Sequence, residues 1–355
     1  MTPRFIPVMK ALLAALLFGL SAPLSKVLLG EISPIPLAGL LYLGSGLAAL
    51  MLLLFQSRAA AKGEARLQRG DWRWLIGALL TGGVAAPIIL LFSLQVTPAA
   101  TAALLLNFEG VATTIIAGLV FREAIGRRVG WAIAFITLAS IILSWESKGQ
   151  WGLSLGALGI LLACALWGLD NNFTRNISAK NPLTIVAWKG MGAGLFSIVL
   201  ALVLGQSLPP IAIALRALLL GSVSYGLSIM FFILALRDLG AARTSALFSS
   251  SPFIGMLLAF VLFRDPLTTP FLLALPVMAA GTFLLMGEAH QHEHYHPQLA
   301  HEHRHRHDDA HHTHIHAPDE IPAGGWHSHT HTHTPETHSH SHTPDLHHRH
   351  SHTTN

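Results

Sequence analysis

Three things are scarce in this chain, and each scarcity excludes something. Charged residues make up only 11% of it, against roughly 25% in soluble domains, so a water-surrounded globule is excluded. Cys164 is the only cysteine, which rules out a disulfide framework and a cysteine-rich metal site. Before His290 there is no histidine at all, leaving the greater part of the chain without its usual metal ligand and proton carrier. No ATP-binding loop and no nucleophile constellation can be picked out, so neither a pump driven by ATP nor an enzyme has support.

What is abundant is apolar. Hydrophobic residues make up 52% of the chain and mean hydropathy is +0.53. Runs of mainly apolar residues recur near 8–29, 35–56, 73–94, 97–121, 128–145, 152–174, 182–204, 210–235, 240–263 and 270–287. Such lengths cover about 30 Å of hydrocarbon at 1.5 Å per residue. With no barrel-like alternation, helices are the only way to satisfy the backbone in lipid. The first run follows Arg4 and Lys10 and resembles a secretory signal, but it continues to Leu29, and Phe18-Gly19-Leu20 matches Trp167-Gly168-Leu169. It is therefore read as a first span.

The net charge of +4 conceals an uneven split. Residues 1–287 carry 19 Lys/Arg against nine Asp/Glu, whereas 288–355 carry three against nine. The basic residues fall in alternate short loops: Arg58, Lys62, Arg66, Arg69 and Arg73, then Arg122, Arg127 and Arg128, then Arg175 and Lys180, then Arg237 and Arg243. That pattern is membrane orientation and not nucleic-acid binding, and it places both termini in the cytoplasm.

Leu94 to Glu123 and Leu236 to Asp265 align without a gap, sharing Leu94/Leu236, Ala99/Ala241, Ala100/Ala242, Leu105/Leu247, Ala117/Ala259, Phe121/Phe263 and Arg122/Arg264. The chain is an internal duplication, and an odd number of spans per copy inverts one half against the other. The expected fold is all-α and integral to the membrane, with ten transmembrane helices as two inverted five-helix repeats, 1–146 and 147–287, and a disordered His-rich tail, 288–355. Gly39, Gly44 and Gly46 correspond loosely to Gly190, Gly192 and Gly194, a spacing that suits close helix packing or a break beside a solute path.

Leu105-Asn107-Phe108-Glu109 leading to Val120-Phe121-Arg122-Glu123, and Ser251-Pro252 leading to Phe263-Arg264-Asp265, resemble the EamA family of the drug/metabolite transporter superfamily over roughly residues 8–287. Pro252 keeps a midhelix proline common in that family, which Gly110 replaces in the first copy. The resemblance implies alternating access and export of small metabolites, amino acids or foreign compounds from the bacterial inner membrane, without naming a substrate. A homodimer is one assembly it allows. The ending His338 to His352, with Asp345-Leu346-His347-His348-Arg349-His350, resembles the tails of a bacterial subgroup of the family.

Glu109 falls near the middle of its span, where a carboxylate needs water or a partner. Two readings stand side by side: a group that binds and releases protons along a central path, and a carboxyl that braces helices. The repeat places Ser249 and Ser251 opposite Asn107 and Glu109. Asp170 and Lys189 lie at similar depth in their spans and are expected to pair, with Asn171, Asn172 and Trp188 as partners for a solute. Tyr42 and Tyr225 are further candidates for the lining, Lys26 and Arg216 are placed to snorkel, and Cys164 is expected to be inert.

The tail repeats His-x-His: His292/His294/His296, His301/His303/His305/His307, His314/His316, His327/His329/His331/His333 and His338/His340/His342, followed by His347, His348 and His350. Imidazoles two apart share a side of an extended chain, and with a pKa of about 6.5 they are mostly neutral near pH 7, as Zn, Ni, Co or Cu require. Pro297, Pro318, Pro322, Pro335 and Pro344 argue for disorder. The leading function is a proton-coupled secondary exporter that requires no cofactor, acts on a small molecule and contacts lipid and tail-bound metal. The alternatives are a divalent-metal exporter and a membrane-anchored metal buffer or sensor.

Overall fold

The computed structural model describes residues 5–55, 65–121, 126–145, 154–177, 180–239, 244, 247–286, 290–296, 299–305, 327–333 and 336–342. Over 5–286 these residues form helices joined by turns and short loops, and no strand interrupts them. The helices are α1 (Phe5–Gly19), α2 (Ser21–Leu28), α3 (Pro34–Phe55), α4 (Trp72–Ala78), α5 (Ala86–Val96), α6 (Ala99–Leu105), α7 (Phe108–Phe121) and α8 (Arg127–Ser144). They continue with α9 (Leu155–Arg175), α10 (Pro182–Val203), α11 (Ile211–Gly221), α12 (Ser228–Leu239), α13 (Ser251–Phe263) and α14 (Thr269–Met286).

Among the described residues, eight stretches are long and apolar enough to cross a membrane, from Ile6–Leu28 to Ile211–Ala235, and two shorter apolar helices lie at Ser251–Phe263 and Thr269–Leu284. Their outward surfaces, with Leu54, Phe55, Leu119, Val203 and Val261 more than half exposed, suit lipid rather than water. The protein is a multi-pass membrane protein.

The spans are less regular than their hydropathy suggests. Leu79–Ala85, between α4 and α5, and Ser222–Leu227, between α11 and α12, are π-helical, an uncommon winding that is frequent at functional sites. The fourth apolar run, expected as one helix, breaks at Leu106 and Asn107, where the Asn107 amide donates to the Leu104 carbonyl at 3.0 Å. An asparagine that binds its own turn in this way competes with helix continuation. The second copy turns at Ser249 and Ser250. Asn107 and Ser249 are equivalent positions of the repeat, and so are nearly all residues of the two π segments.

Glycines set how closely the helices approach. A Cβ on Gly46 would lie 2.5 Å from the Met191 nitrogen, one on Gly190 2.5 Å from the Gly46 nitrogen, and one on Gly194 2.8 Å from the Gly39 carbonyl. The glycines of α3 and α10 therefore serve packing, and the helix breaks lie elsewhere. Gly39 meets Gly194 and Ile198 while Gly46 meets Gly190 and Met191, so α3 and α10 run antiparallel.

Contacts at the helix ends show which loops share a side. Asp71 and Lys180 pair at 3.6 Å, and the Asn181 N–H donates to the Ala65 carbonyl at 3.0 Å. Elsewhere Glu31 pairs with Arg216 at 3.1 Å. Lys26 does not snorkel outward; its ammonium donates to the Thr97 carbonyl and stands 5.9 Å from the Phe263 ring.

The tail was expected to be disordered, and its described backbone instead forms four strands: β1 (His290–His296), β2 (Leu299–His305), β3 (His327–His333) and β4 (Glu336–His342). β1 pairs antiparallel with β4, and β2 with β3. The register sets His290, His292 and His294 opposite His342, His340 and His338, and His301, His303 and His305 opposite His331, His329 and His327. Period-two alternation of His with Ser, Thr or Glu gives such strands a regular pleat despite the prolines, which fall outside them. His307, His314, His316, His347, His348 and His350 lie outside the described residues.

Candidate functional site

The polar groups of the membrane body gather where α7, α9, α10 and the first π segment meet. Gly168 makes this possible: a Cβ there would lie 2.9 Å from the Ala112 and Thr113 backbone, so α9 and α7 touch along their main chains. The break at Asn107 starts α7 at Phe108, which puts Glu109 in its first turn, where a carboxylate complements the unpaired N–H groups.

Glu109 is half-buried, and its Oε1 accepts from the Asn171 amide at 2.9 Å. The same Asn171 nitrogen reaches Thr113 Oγ1 at 3.1 Å, while the next residue, Asn172, donates to the Thr113 carbonyl at 3.0 Å and the Gly168 carbonyl at 2.8 Å. Two consecutive asparagines thus fasten α9 to α7, one deep and one, Asn171, at an exposed edge.

Asp170 leaves the same helix in another direction. Its carboxylate pairs with the Lys189 ammonium of α10 and accepts from the Thr174 hydroxyl at 3.0 Å. The Asp170 side chain is 5% exposed and that of Lys189 19%. A charge buried to that degree without its partner is costly, and the pair removes that cost. Asp170 also lies against Gly82, where an added Cβ would come within 1.9 Å of Oδ2. The Gly82 carbonyl, inside the π segment, accepts from the Tyr42 hydroxyl and from Trp167 Nε1, the latter at 3.0 Å.

From Tyr42 a line of aromatic rings runs into the second half. Centroids are 5.8 Å apart for Tyr42 and Tyr225, 5.9 Å for Tyr225 and Phe18, 5.3 Å for Phe18 and Phe248, and 4.9 Å for Phe248 and Phe232. Beside this line, Phe18, Ser21, Ala103, Leu106, Ser251 and Pro252 line a partly open space of about 10 Å³, room for about one water.

The structure thus pairs Glu109 with Asn171 and Lys189 with Asp170, through consecutive residues of α9, and puts Tyr225 at the centre of the ring line. Asn107 lies deeper in the packing, where Thr282 donates to its Oδ1 at 3.3 Å. Ser251 is buried at the start of α13 beside Gly19, and Ser249 sits in the turn before it. Trp188 is misplaced by the sequence reading: it is 52% exposed and packs edge-on to Trp72 at 5.3 Å, because one residue of helix turns a side chain about 100° from its neighbour Lys189. Cys164 is fully buried. Thr113, Trp167 and Gly82 were missed as site residues. Thr113 stands four residues after Glu109, on the same helical face, and that spacing was a usable signal.

Comparison with known proteins agrees with this architecture. The EamA-like transporter family model matches twice, over residues 5–145 and 154–287. An "Uncharacterized transporter" of Methanothermobacter thermautotrophicus is 27% identical over 288 residues, which cover 77% of this chain and 83% of that protein. A solved crystal structure is similar with a TM-score of 0.56 at 14% identity, covering 78% of this chain and 95% of its own. At that identity the likeness is one of fold.

Proposed function

The chain belongs to the EamA-like transporter family, and on that premise we propose that it is a proton-coupled secondary exporter of a small solute in the bacterial inner membrane. That it is a membrane transporter and not an enzyme follows from the family and from the transporter relative. The proposal adds ten spans, two inverted five-helix halves bounded by 1–146 and 147–287, cytoplasmic termini, an outward direction and Glu109 as the proton carrier.

One observation carries the reading. Both halves are interrupted at equivalent positions, by π segments at Leu79–Ala85 and Ser222–Leu227 and by turns at Asn107 and Ser249. Discontinuous helices near mid-membrane, at a repeat interface, are where transporters bind and pass their solutes. The packing supports two-fold exchange of the halves: α9 lies against α5 and α7 as α1 lies against α12 and α13, while α3 packs on α10 and α8 on α14. Gly19 approaches Ile254 and Gly255 as Gly168 approaches Ala112 and Thr113, which are equivalent residues. The antiparallel course of α3 and α10 supports inversion.

The tail is read as a segment that binds Zn, Ni, Co or Cu and is separable from the solute path. The His-on-His register of both strand pairs supports this. A metal exporter fits the body poorly, because Asp170 is committed to Lys189 and among the described residues no group of three His, Cys, Asp or Glu could hold an ion.

The test compares small molecules and metals in the medium of cells expressing the full chain, the chain ending at Gly287, and Glu109→Gln, at equal membrane levels. A solute exported by the first two and not by the third supports the reading. An export profile that Glu109→Gln leaves unchanged defeats it, and one lost with the tail alone favours a metal buffer or sensor.

A further inference from the structure

The two halves match in backbone and differ in chemistry. Aligning Phe18-Gly19-Leu20 with Trp167-Gly168-Leu169 makes Ser21 the counterpart of Asp170 and Ala22 that of Asn171, while Ser251 is the counterpart of Glu109. One end of the path therefore carries the carboxylates, the ammonium and the amides, and the other carries small uncharged residues. The uncharged end meets Phe18, Phe248 and Phe232, with Pro252 and Ala103 beside the small cavity.

The charges at the polar end do not cancel. Lys189 is committed to Asp170, and the Glu109 carboxylate accepts from a neutral amide, Asn171. With Glu109 ionised, Glu109, Asp170 and Lys189 among the described residues hold two carboxylates against one ammonium, an excess of one negative charge; a proton or a cation on Glu109 restores balance. From there Tyr42, Tyr225, Phe18 and Phe248 form an unbroken aromatic line into the uncharged end. Ring faces attract cations and cover apolar groups equally well.

Resting on the transporter reading, we propose that the solute is an amphipathic organic cation of single positive charge. Its ammonium sits at Glu109 and its apolar body lies along the rings of Tyr42, Tyr225, Phe18 and Phe248. A carboxylate-bearing solute would face Glu109 with Lys189 already taken. A divalent metal would find one uncommitted carboxylate and no imidazole, too few ligands for a dehydrated ion. A neutral solute could not exchange with the proton on Glu109, because it would leave the ionised carboxylate uncompensated in a medium where that is costly.

The experiment titrates the full-length protein in lipid nanodiscs with four probes of similar body and different charge: 2-phenylethylamine, 2-phenylethanol, phenylacetate and phenylalanine. Quenching of tryptophan fluorescence, Trp167 included, is the readout. The amine is expected to bind at least ~10-fold more tightly than the other three, a difference of about 1.4 kcal/mol. Glu109→Gln should abolish that preference, and Phe18→Ala should weaken amine and alcohol alike. Tightest binding of phenylacetate or phenylalanine, equal binding of amine and alcohol, an undiminished preference in Glu109→Gln, or no binding by any probe to folded protein overturns the proposal. A neutral or anionic solute exported by cells in a Glu109-dependent way would overturn this substrate class while leaving the transporter reading intact.

Discussion

Asp265, beyond the end of α13 in the second half, accepts a hydrogen bond from the backbone N–H of Ala100 at the start of α6 in the first half, at 2.9 Å. The acid that closes the family-like motif is thus a cap on the other half's helix, reached because Arg264 turns the chain at φ 52°. A carboxylate there meets the positive end of the helix dipole. Asp265→Ala should lower stability by about 0.5–2 kcal/mol, and Asp265→Asn by much less because its amide oxygen still accepts. Thermal unfolding in detergent checks this; indistinguishable midpoints for Asp265→Ala and the unmodified chain would remove the capping role.

The Asp170–Lys189 pair gives a sharper test. Removing one member strands the other in a low-dielectric interior, at a cost of about 3–5 kcal/mol, whereas removing both does not. Lys189→Met is expected to reduce the folded fraction severely, and Asp170→Asn combined with Lys189→Met to restore most of it. Export is then read at matched protein level. A double variant that is stable and transports normally assigns the pair to bracing; one that is stable and inactive assigns it to the path.

Part of this was legible in the sequence, and the rest depends on partners distant in the chain. Eight of the ten expected spans could be read among the described residues because about 20 apolar residues have one sensible fate, and the gapless match of Leu94–Glu123 with Leu236–Asp265 pointed to the duplication. The pairing of Asp170 with Lys189 was also legible, since two opposite charges at one depth need each other. The interruptions were not. No proline marks Asn107 or Gly82, and the π winding is held by Tyr42 and Trp167 donating to the Gly82 carbonyl from other helices. The tail's pairing was hidden for the same reason: the partners of β1 and β2 lie far along the chain, in β4 and β3, and repeated His-x-His leaves several registers alike.

Close packing of α3 on α10 predicts a contrast among glycines. Gly46→Leu and Gly190→Leu force side chains into backbone 2.5 Å away and should cost about 1–3 kcal/mol or more. At Gly130, inside α8, a Cβ meets nothing within 4 Å, so Gly130→Ala should be neutral or stabilising by about 0.5–1 kcal/mol from helix propensity alone. Unfolding midpoints of the three variants decide. Equal losses at all three positions would mean that glycine content, and not the α3–α10 contact, sets stability.

The tail should lose metal on acidification, and the direction follows from the ligand chemistry. Only neutral imidazole coordinates, and its unperturbed pKa is about 6.5, so binding is strong above that value and lost as pH falls through it. Nickel retained in equilibrium dialysis is expected to be high at pH 7.5 and nearly absent at about pH 5. Removal of 288–355 should abolish it at both. Equal retention at the two pH values would exclude imidazole ligation. Retention by the shortened chain would place the metal in a body that has no histidine, and Glu109 and Asp170 would then have to be reconsidered as its ligands.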